Sequence, residues 1–431
     1  MAKINKLQKS GVTIYPATIP QAVIDSETGK TQKEVNDDVV ALSKLVDKNI
    51  TWYGVEWSTA IASSSMTRIG SMNLHRELPV QNKMKGVLLN DDGTVNKYLD
   101  ENDWTSEVRD GTQGQVMVEM PEFYYKFEAN GNIRRMLISD YALTGFEKMP
   151  KMYISAYEAS LNGSNLSSEA GVMAKTSYSR TNFRSSARNR GDGWEMYFYN
   201  AHKSMLMLYF VEYANRNSQL NFNAQLTESG FKQGGLGDGV TTVNSSEWTD
   251  YNSRNPFVEC GFTDTLGNNT GVVTMDVPFG SVPTVDVPRY RGIENPFGHI
   301  WKNCDGINID IKTDEDGGTS TCYICDDPAM FSDSSYEGYT NIGPLSRSGG
   351  YITEMLLGEF MPASVGGGST TYWADYFYTS VTSTSLRTVR WGGNAADGAD
   401  AGLGYSNANH SPSDASAHIG SRVCFFKKRN S

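Results

Sequence analysis

The sequence is poor in cysteine, in positive charge and in long apolar runs. Its 431 residues include five cysteines, an odd number whose spacing forms no disulfide framework, so we expect folding in a reducing cytosol. The formal net charge of −11 disfavours nucleic acid and anionic membranes as partners, because both select basic patches. No run of about 18 apolar residues occurs, and no apolar segment follows the N-terminal lysines. We therefore expect neither a transmembrane helix nor a signal peptide.

Sequence signatures of catalysis are also missing. The chain has five histidines, and none lies in an HExxH motif or beside a nucleophile elbow. P-loop and dinucleotide-binding fingerprints are missing as well. The sequence therefore predicts a protein that is not an enzyme.

Two segments are candidates for metal binding. Cys322 and Cys325 form a CxxC pair that Cys304 could join, but a zinc site needs four ligands and no second pair exists, so we expect buried free thiols. The carboxylates between Asp310 and Gly318 could hold calcium, although their spacing differs from that of an EF-hand loop. Calcium therefore stays open, and no other cofactor is expected.

The sequence is rich in glycine and aromatic residues, with 42 Gly, 23 Tyr and 8 Trp. Short apolar runs with this composition favour strands joined by tight turns, and Asn130-Gly131 is a hairpin signal. Residues 191–217 keep helical spacing over several turns, which predicts a helix with Asp192 as its N-cap. Its apolar stripe is so broad that the helix must be buried. Residues 369–380 predict an aromatic strand whose exposed members could bind a partner. The expected fold class is α+β.

The N-terminal region predicts an arm and a short coiled coil. Residues 1–30 have alternating apolar positions but no core of their own, which suits an extended arm or a disordered tail. Thr31 and Glu34 fit a capping box. A heptad seam then predicts a coiled-coil helix over residues 31–50, or else an amphipathic helix packed on its own domain. Its apolar positions are Val35, Val39, Leu42 and Val46. We expect a strand-rich domain over residues 51–150 and a second domain over 151–431.

A long polar stretch precedes the C-terminus. Between Trp391 and Ile419 the only sizeable apolar side chains are Leu403 and Tyr405. Such a composition predicts a surface loop, which ends abruptly at the apolar residues 419–426, typical of a buried strand. Asn, Ser, Asp, His and Tyr side chains suit an adaptable hydrogen-bonding surface. The alternative is a flexible loop without a partner.

The last 40 or so residues resemble those of C-type-lectin-like phage receptor-binding proteins, the group that includes the major tropism determinant. The resemblance depends on three motifs: Arg390-Trp391-Gly392-Gly393, Ala401-Gly402-Leu403 and Ile419-Gly420-Ser421-Arg422-Val423-Cys424. Residues 183–217 and 289–309 resemble segments of the formylglycine-generating enzymes, which share that fold. Residues 1–31 and 110–128 resemble tail-fibre proteins of phages of gut Bacteroidetes.

The resemblance implies an α+β fold, with a C-type-lectin-like domain behind the arm and coiled coil. It implies a virion tail-fibre protein, made in the host cytoplasm, that attaches the particle to a host surface glycan or protein. It also implies contact with other tail proteins through the arm, and a homotrimer. The implied ligand-binding residues are Trp391, Asn394, Asp397, Tyr405, Asn407, Asn409 and His410.

Two other functions stay open. A structural fibre or collar component would use the same arm and need no receptor. An enzyme of the formylglycine-generating type would need a pair of cysteines near the C-terminus, and Cys424 has no such neighbour. Only the composition of the polar loop favours attachment over the structural component, and the missing cysteine pair disfavours the enzyme.

Overall fold

The computed structural model describes residues 50–220, 223–244, 246, 256–277 and 282–427, with short N-terminal segments at 7–9, 12–14, 24–25, 29–31 and 33–37. Strands hold 38% of the residues and helices 13%. The predicted class, α+β with a C-type-lectin-like domain behind a coiled coil, is therefore wrong, and the protein is mostly β. The physical reason is that its apolar residues fall in short runs bounded by glycine and other turn formers, which suits strands.

The described N-terminal segments form a small antiparallel sheet and the start of a helix. The sheet has the order β1 (Leu7–Lys9), β2 (Val12–Ile14), β3 (Ile24–Asp25). Residues 33–37 are helical (α1). The capping box is confirmed, because the Glu34 amide donates to Thr31 Oγ1 at 3.2 Å and the Thr31 amide donates to Glu34 Oε2 at 2.7 Å. No coiled coil occurs among the described residues. Three of the predicted heptad positions, Val39, Leu42 and Val46, lie outside them.

A five-stranded sheet follows. Its strands are β4 (Trp52–Ser58), β5 (Thr67–Gly70), β9 (Phe123–Asn130), β10 (Ile133–Ser139) and β11 (Glu147–Met149). Their order is β11-β9-β10-β4-β5. The predicted hairpin is confirmed, because Asn130 pairs with Ile133 across a turn in which Gly131 has φ of 55°.

A six-stranded sheet joins distant parts of the chain. Its strands are β6 (Lys85–Leu89), β7 (Val95–Tyr98), β8 (Gln115–Met120), β12 (Met152–Ser155), β15 (Trp194–Met196) and β30 (Val423–Phe425). Their order is β15-β30-β12-β8-β6-β7. The sheet takes strands from both sides of residue 150, and the largest hydrophobic cluster runs from Tyr53 to Cys424.

The last strand, β30, is buried between β12 and β15, which confirms the predicted buried strand at the end of the chain. Arg422 beside it is 1% exposed and donates to the backbone oxygens of Ser155, at 3.0 Å, and Asn295, at 2.8 Å. Strand β30 is therefore held both by backbone pairing with its two neighbours and by the hydrogen bonds of Arg422.

Among the described residues after residue 50, three α-helices stand between the strands. They are α2 (Met72–Glu77), α3 (Arg180–Arg188) and α4 (Tyr199–Tyr213). Ser71 and Ser179 cap the first two through their hydroxyls. Helix α4 is buried along nearly all of its residues, as its broad apolar stripe predicts. The predicted N-cap is wrong, because Asp192 precedes strand β15 and the helix begins after Phe198. No described helix is long and apolar enough to span a membrane.

The largest sheet has nine strands and holds most of the C-terminal region. Its strands are β21 (Trp301–Ile311), β22 (Ser320–Ile324), β23 (Thr340–Pro344), β24 (Gly350–Met355), β25 (Pro362–Val365), β26 (Tyr376–Tyr378), β27 (Ser385–Gly392), β28 (Gly402–His410) and β29 (Ile419–Gly420). Eight follow the order β23-β22-β21-β27-β28-β26-β24-β25, and β29 pairs with β21.

Shorter strands and 3₁₀ turns complete the described fold. The strands are β13 (Ser160–Asn162), β14 (Asn165–Ser167), β16 (Asn223–Leu226), β17 (Lys232–Gln233), β18 (Gly271–Asp276), β19 (Thr284–Tyr290) and β20 (Ile293–Glu294). The 3₁₀ turns are Gln81–Lys83, Asp264–Leu266, Pro328–Met330 and Gly398–Asp400.

Candidate functional site

The polar stretch before the C-terminus is not a single loop. Residues 402–410 form β28, which pairs with β26 and β27 in the nine-stranded sheet, and its first seven residues are buried. The predicted surface loop is therefore wrong for this part. Small residues are needed here because β28 passes directly over a buried carboxylate. A Cβ atom added at Gly402 would lie 1.8 Å from Asp375 Oδ1, and one at Gly404 would lie 2.7 Å from Asp375 Oδ2.

The two faces of this sheet have different environments. Trp391 pairs with Ser406, and Ser406 pairs with Phe377, so these three side chains share one face. That face meets helix α4, because the Trp391 indole stacks on His202 with ring centroids 4.0 Å apart. Trp391 is 1% exposed. This predicted ligand-binding residue therefore lies in the core.

The opposite face carries a row of tyrosines from three strands. Tyr351 of β24 pairs with Tyr376 of β26, and their rings meet edge to face at 5.3 Å. Tyr376 meets Tyr405 of β28 at 6.0 Å, and Tyr405 meets Trp301 at 4.6 Å. Tyr405 is buried beneath the row, whereas Tyr351 and Tyr376 are half-buried and Tyr378 is 44% exposed. The row of rings thus extends from the buried Tyr405 to the exposed Tyr378.

Acidic side chains border this row. Burial, and after it the nearby carboxylate of Asp400 in the turn before β28, raise the pKa of Tyr351 to about 12. We call Tyr351, Tyr376, Tyr378 and Asp400 the tyrosine face. Asn407 pairs with Tyr378 across β28 and β26 but is only 7% exposed. The tyrosine face therefore combines apolar ring surface with hydroxyl and carboxylate groups on a rigid sheet.

Two more of the predicted residues support the turn itself. The Asn394 amide donates to Asp397 Oδ2 at 2.6 Å, and the Ala396 amide donates to Asn394 Oδ1 at 2.8 Å. Burial raises the pKa of Asp397 to about 6, and the Asn394 amide opposes that rise. Asn394 is buried and Asp397 half-buried. These side chains hold the turn that carries Asp400.

The remaining predicted residues lie at the far end of β28. Asn409 and His410 are half-buried, and His410 Nδ1 lies 2.5 Å from Asp414 Oδ2. Burial and the nearby Arg390 lower the pKa of His410, whereas Asp414 opposes that effect. Asn409 and His410 therefore present polar, partly exposed surface at this end of the strand.

Of the seven predicted residues, only Asp397, Asn409 and His410 are partly exposed. The tyrosine face adds two residues from the predicted aromatic strand, Tyr376 and Tyr378. Sequence reasoning missed Tyr351 and Asp400. Tyr351 follows two glycines on a strand without regular alternation, and Asp400 looks like any turn acid, so neither had a local signal.

In the two candidate metal-binding segments, the cysteine thiols are buried and carboxylates of the acidic turn are bonded to neighbouring protein groups. All five cysteines are free and buried. In the acidic turn, Asp316 accepts hydrogen bonds from Thr313 and Thr384, and Asp314 lies 2.5 Å from Arg347. Within the described ranges, no group of three or more His, Cys, Asp and Glu side chains is placed to hold a metal ion.

No family model matches the chain. No curated protein matches its sequence either. The resemblance to phage receptor-binding proteins therefore stays a prediction from the residues themselves.

Proposed function

We propose that this protein is a phage tail-fibre protein that attaches the virion to a receptor on the host-cell surface, and that the tyrosine face contacts the receptor. The observation that carries the proposal is the row formed by Tyr351, Tyr376 and Tyr378 beside Asp400. Aromatic rings with polar tips supply contact area at low entropic cost, and a sheet holds them in place.

The receptor is a glycan or a protein. The rings offer apolar faces for sugar C–H groups or for apolar side chains, and the hydroxyl and carboxylate groups supply hydrogen bonds. A single open surface of this kind binds its ligand weakly, with a dissociation constant on the order of millimolar to micromolar. This corresponds to a binding free energy of about 4 to 8 kcal/mol. Several copies acting together raise the effective affinity, which suits a homotrimeric fibre present in several copies on each particle.

The location in the virion is part of the same proposal. Residues 1–30 contact other tail proteins, and the protein is made in the host cytoplasm and released with the particle. The second candidate is a structural fibre or collar component without a receptor. The tyrosine face disfavours it, because a purely structural role gives no reason to place three neighbouring rings and a carboxylate together at one surface.

The test is attachment of the labelled full chain to host cells. Replacement of Tyr376 and Tyr378 by alanine should weaken attachment at least about tenfold without loss of folding, because both rings stand on the open face. The matched control is Tyr141→Ala, since Tyr141 is 62% exposed and lies outside the face. If the double variant attaches to cells as well as the parent, the receptor site lies outside the tyrosine face. If the parent chain binds no cell of a broad host panel, the structural role is favoured.

A further inference from the structure

A cleft that shares no residue with the tyrosine face lies where the five-stranded sheet meets helix α4 and the nine-stranded sheet. Its volume is about 620 Å³, and its lining comes from seven separate parts of the chain. Tyr125 of β9, Lys203 of α4 and Glu359 after β24 form its floor. Asp326, Asn200 and Phe426 stand around them. Such a size suits a ligand of one to a few rings.

The floor of this cleft is built from interlocked polar groups. Lys203 Nζ lies 2.9 Å from Glu359 Oε1, and the Tyr199 hydroxyl donates to Glu359 Oε2 at 2.7 Å. The same ammonium group lies 5.1 Å from the centre of the Tyr125 ring. The side chain of Lys203 is 6% exposed and that of Glu359 is 20% exposed. The floor groups are therefore held in position before any ligand arrives.

Two carboxylates of this cleft can accept further hydrogen bonds from a ligand. A carboxylate can accept about four hydrogen bonds. In the described structure, Asp326 accepts one from Asn200 Nδ2 at 2.9 Å, and Glu147 accepts one from the Tyr125 hydroxyl at 2.9 Å. Both carboxylates are exposed, so most of their lone pairs face solvent. A ligand with several O–H donors would satisfy them.

The lining has no net charge. The four carboxylates are those of Glu122, Glu147, Asp326 and Glu359. The four ammonium groups are those of Lys148, Lys151, Lys203 and Lys427. Three of these lysines already lie within 3 Å of a carboxylate, at Glu122, Glu119 and Glu359. The balance favours neither an anion nor a cation, so it selects a neutral ligand.

Apart from Thr340, the other lining side chains are apolar. They are Met149, Pro150, Ile324, Ile342 and Phe426. A cleft with an apolar wall, acceptor-rich polar groups and no net charge matches a molecule that has a C–H face and a rim of hydroxyls. We propose that this cleft binds a neutral saccharide, with a pyranose ring against the apolar wall and its hydroxyls on Asp326, Glu147 and the Lys203–Glu359 pair.

The test measures binding of neutral oligosaccharides to the full chain by calorimetry. The probes are homo-oligomers of glucose, mannose, galactose and N-acetylglucosamine. We expect at least one to bind with millimolar or better affinity, and Asp326→Asn and Phe426→Ala to weaken it about tenfold or more. The control is Glu354→Gln, which likewise changes a partly exposed carboxylate to its amide, 34% exposed and 2.6 Å from Arg134, but outside the cleft.

Three results would overturn the proposal: no binding of any probe at millimolar concentration, equal binding by the cleft variants, or tighter binding of a uronate oligomer than of its neutral analogue. The double alanine replacement at Tyr376 and Tyr378 separates this site from the tyrosine face. It should leave saccharide binding in the cleft unchanged even though it weakens attachment to cells.

Discussion

The indole of Trp391 stacks on the imidazole of His202, with ring centroids 4.0 Å apart and an angle of 29° between the planes. Trp391 belongs to β27 and His202 to α4, so the pair joins the buried helix to the centre of the largest sheet. Burial lowers the pKa of His202 well below its usual range, so the imidazole is uncharged there. The pair is a core contact.

Replacement of Trp391 by alanine should cost about 3 to 5 kcal/mol of stability, because it removes a fully buried ring and leaves a cavity against α4. The measurement is urea unfolding followed by circular dichroism. Trp391→Phe serves as the control and should lose clearly less, since it keeps an aromatic ring. A fully stable Trp391→Ala protein that no longer attaches to cells would contradict the core role and put Trp391 in the receptor contact.

Replacement of Gly402 by alanine should destabilise the protein by about 1 to 3 kcal/mol through overpacking, because the new Cβ would lie 1.8 Å from Asp375 Oδ1. The measurement is the melting temperature of each variant in thermal unfolding. Gly368→Ala is the control, since the nearest atom to its added Cβ is Thr371 Oγ1 at 3.6 Å. Equal melting temperatures for the two variants would show that β28 can move away from Asp375.

Replacement of Asp375 by asparagine should leave the protein as stable as the parent, or more stable, at neutral pH. Burial raises the pKa of Asp375 well above its usual range, and the Gly404 amide, at 2.7 Å from Oδ2, only partly opposes this. Asparagine can accept the same hydrogen bond without a charge.

The pH dependence follows from the same shift. In the unfolded chain the Asp375 carboxyl ionises near its ordinary pKa of about 3.9. Its folded pKa is higher, so the folded state binds the proton more tightly. Its contribution to stability is complete below about pH 4 and is lost as the pH rises toward the folded pKa. Stability of Asp375→Asn should therefore fall less than that of the parent between pH 4 and 7, as measured by urea unfolding. Parallel curves would show that Asp375 titrates normally.

Replacement of Arg422 by methionine should cost about 2 to 4 kcal/mol, because it leaves the buried carbonyls of Ser155 and Asn295 without their donor. Guanidinium chloride unfolding provides the measurement. Arg135→Met is the control and should cost at most about 1 kcal/mol, since that side chain is 43% exposed in its ion pair with Glu56. Similar losses for both variants would mean that Arg422 does not fix the last strand.

Local features of the fold were predictable from the sequence. The capping box at Thr31 and Glu34, the hairpin at Asn130-Gly131 and the buried strand that ends the chain each depend on residues a few positions apart, and the structure has all three. The buried character of α4 also followed from its apolar stripe. Its start did not, because the residues after Asp192 pair with the C-terminal strand instead of continuing the helix.

The candidate site was predicted only in part. Composition suggested a surface loop between Trp391 and Ile419, because small polar residues bury little apolar area. In the structure the middle of that stretch is β28, where backbone pairing on both sides and the close approach to Asp375 replace apolar burial. Small side chains are thus compatible with a loop or with a tightly packed strand, and only the neighbours distinguish them.

The sequence by itself determined that the chain would build short strands and turns, bury one long helix and end in a core strand, because these properties depend on spacing and composition along the chain. Only the tertiary structure decided which side of each strand meets solvent. Alternation places Trp391 and Tyr405 on opposite faces, but α4 packs on one face and leaves the other to the tyrosines. The proximity of Asp400 to Tyr351 likewise depends on the strand order of the nine-stranded sheet, which distant parts of the chain set together.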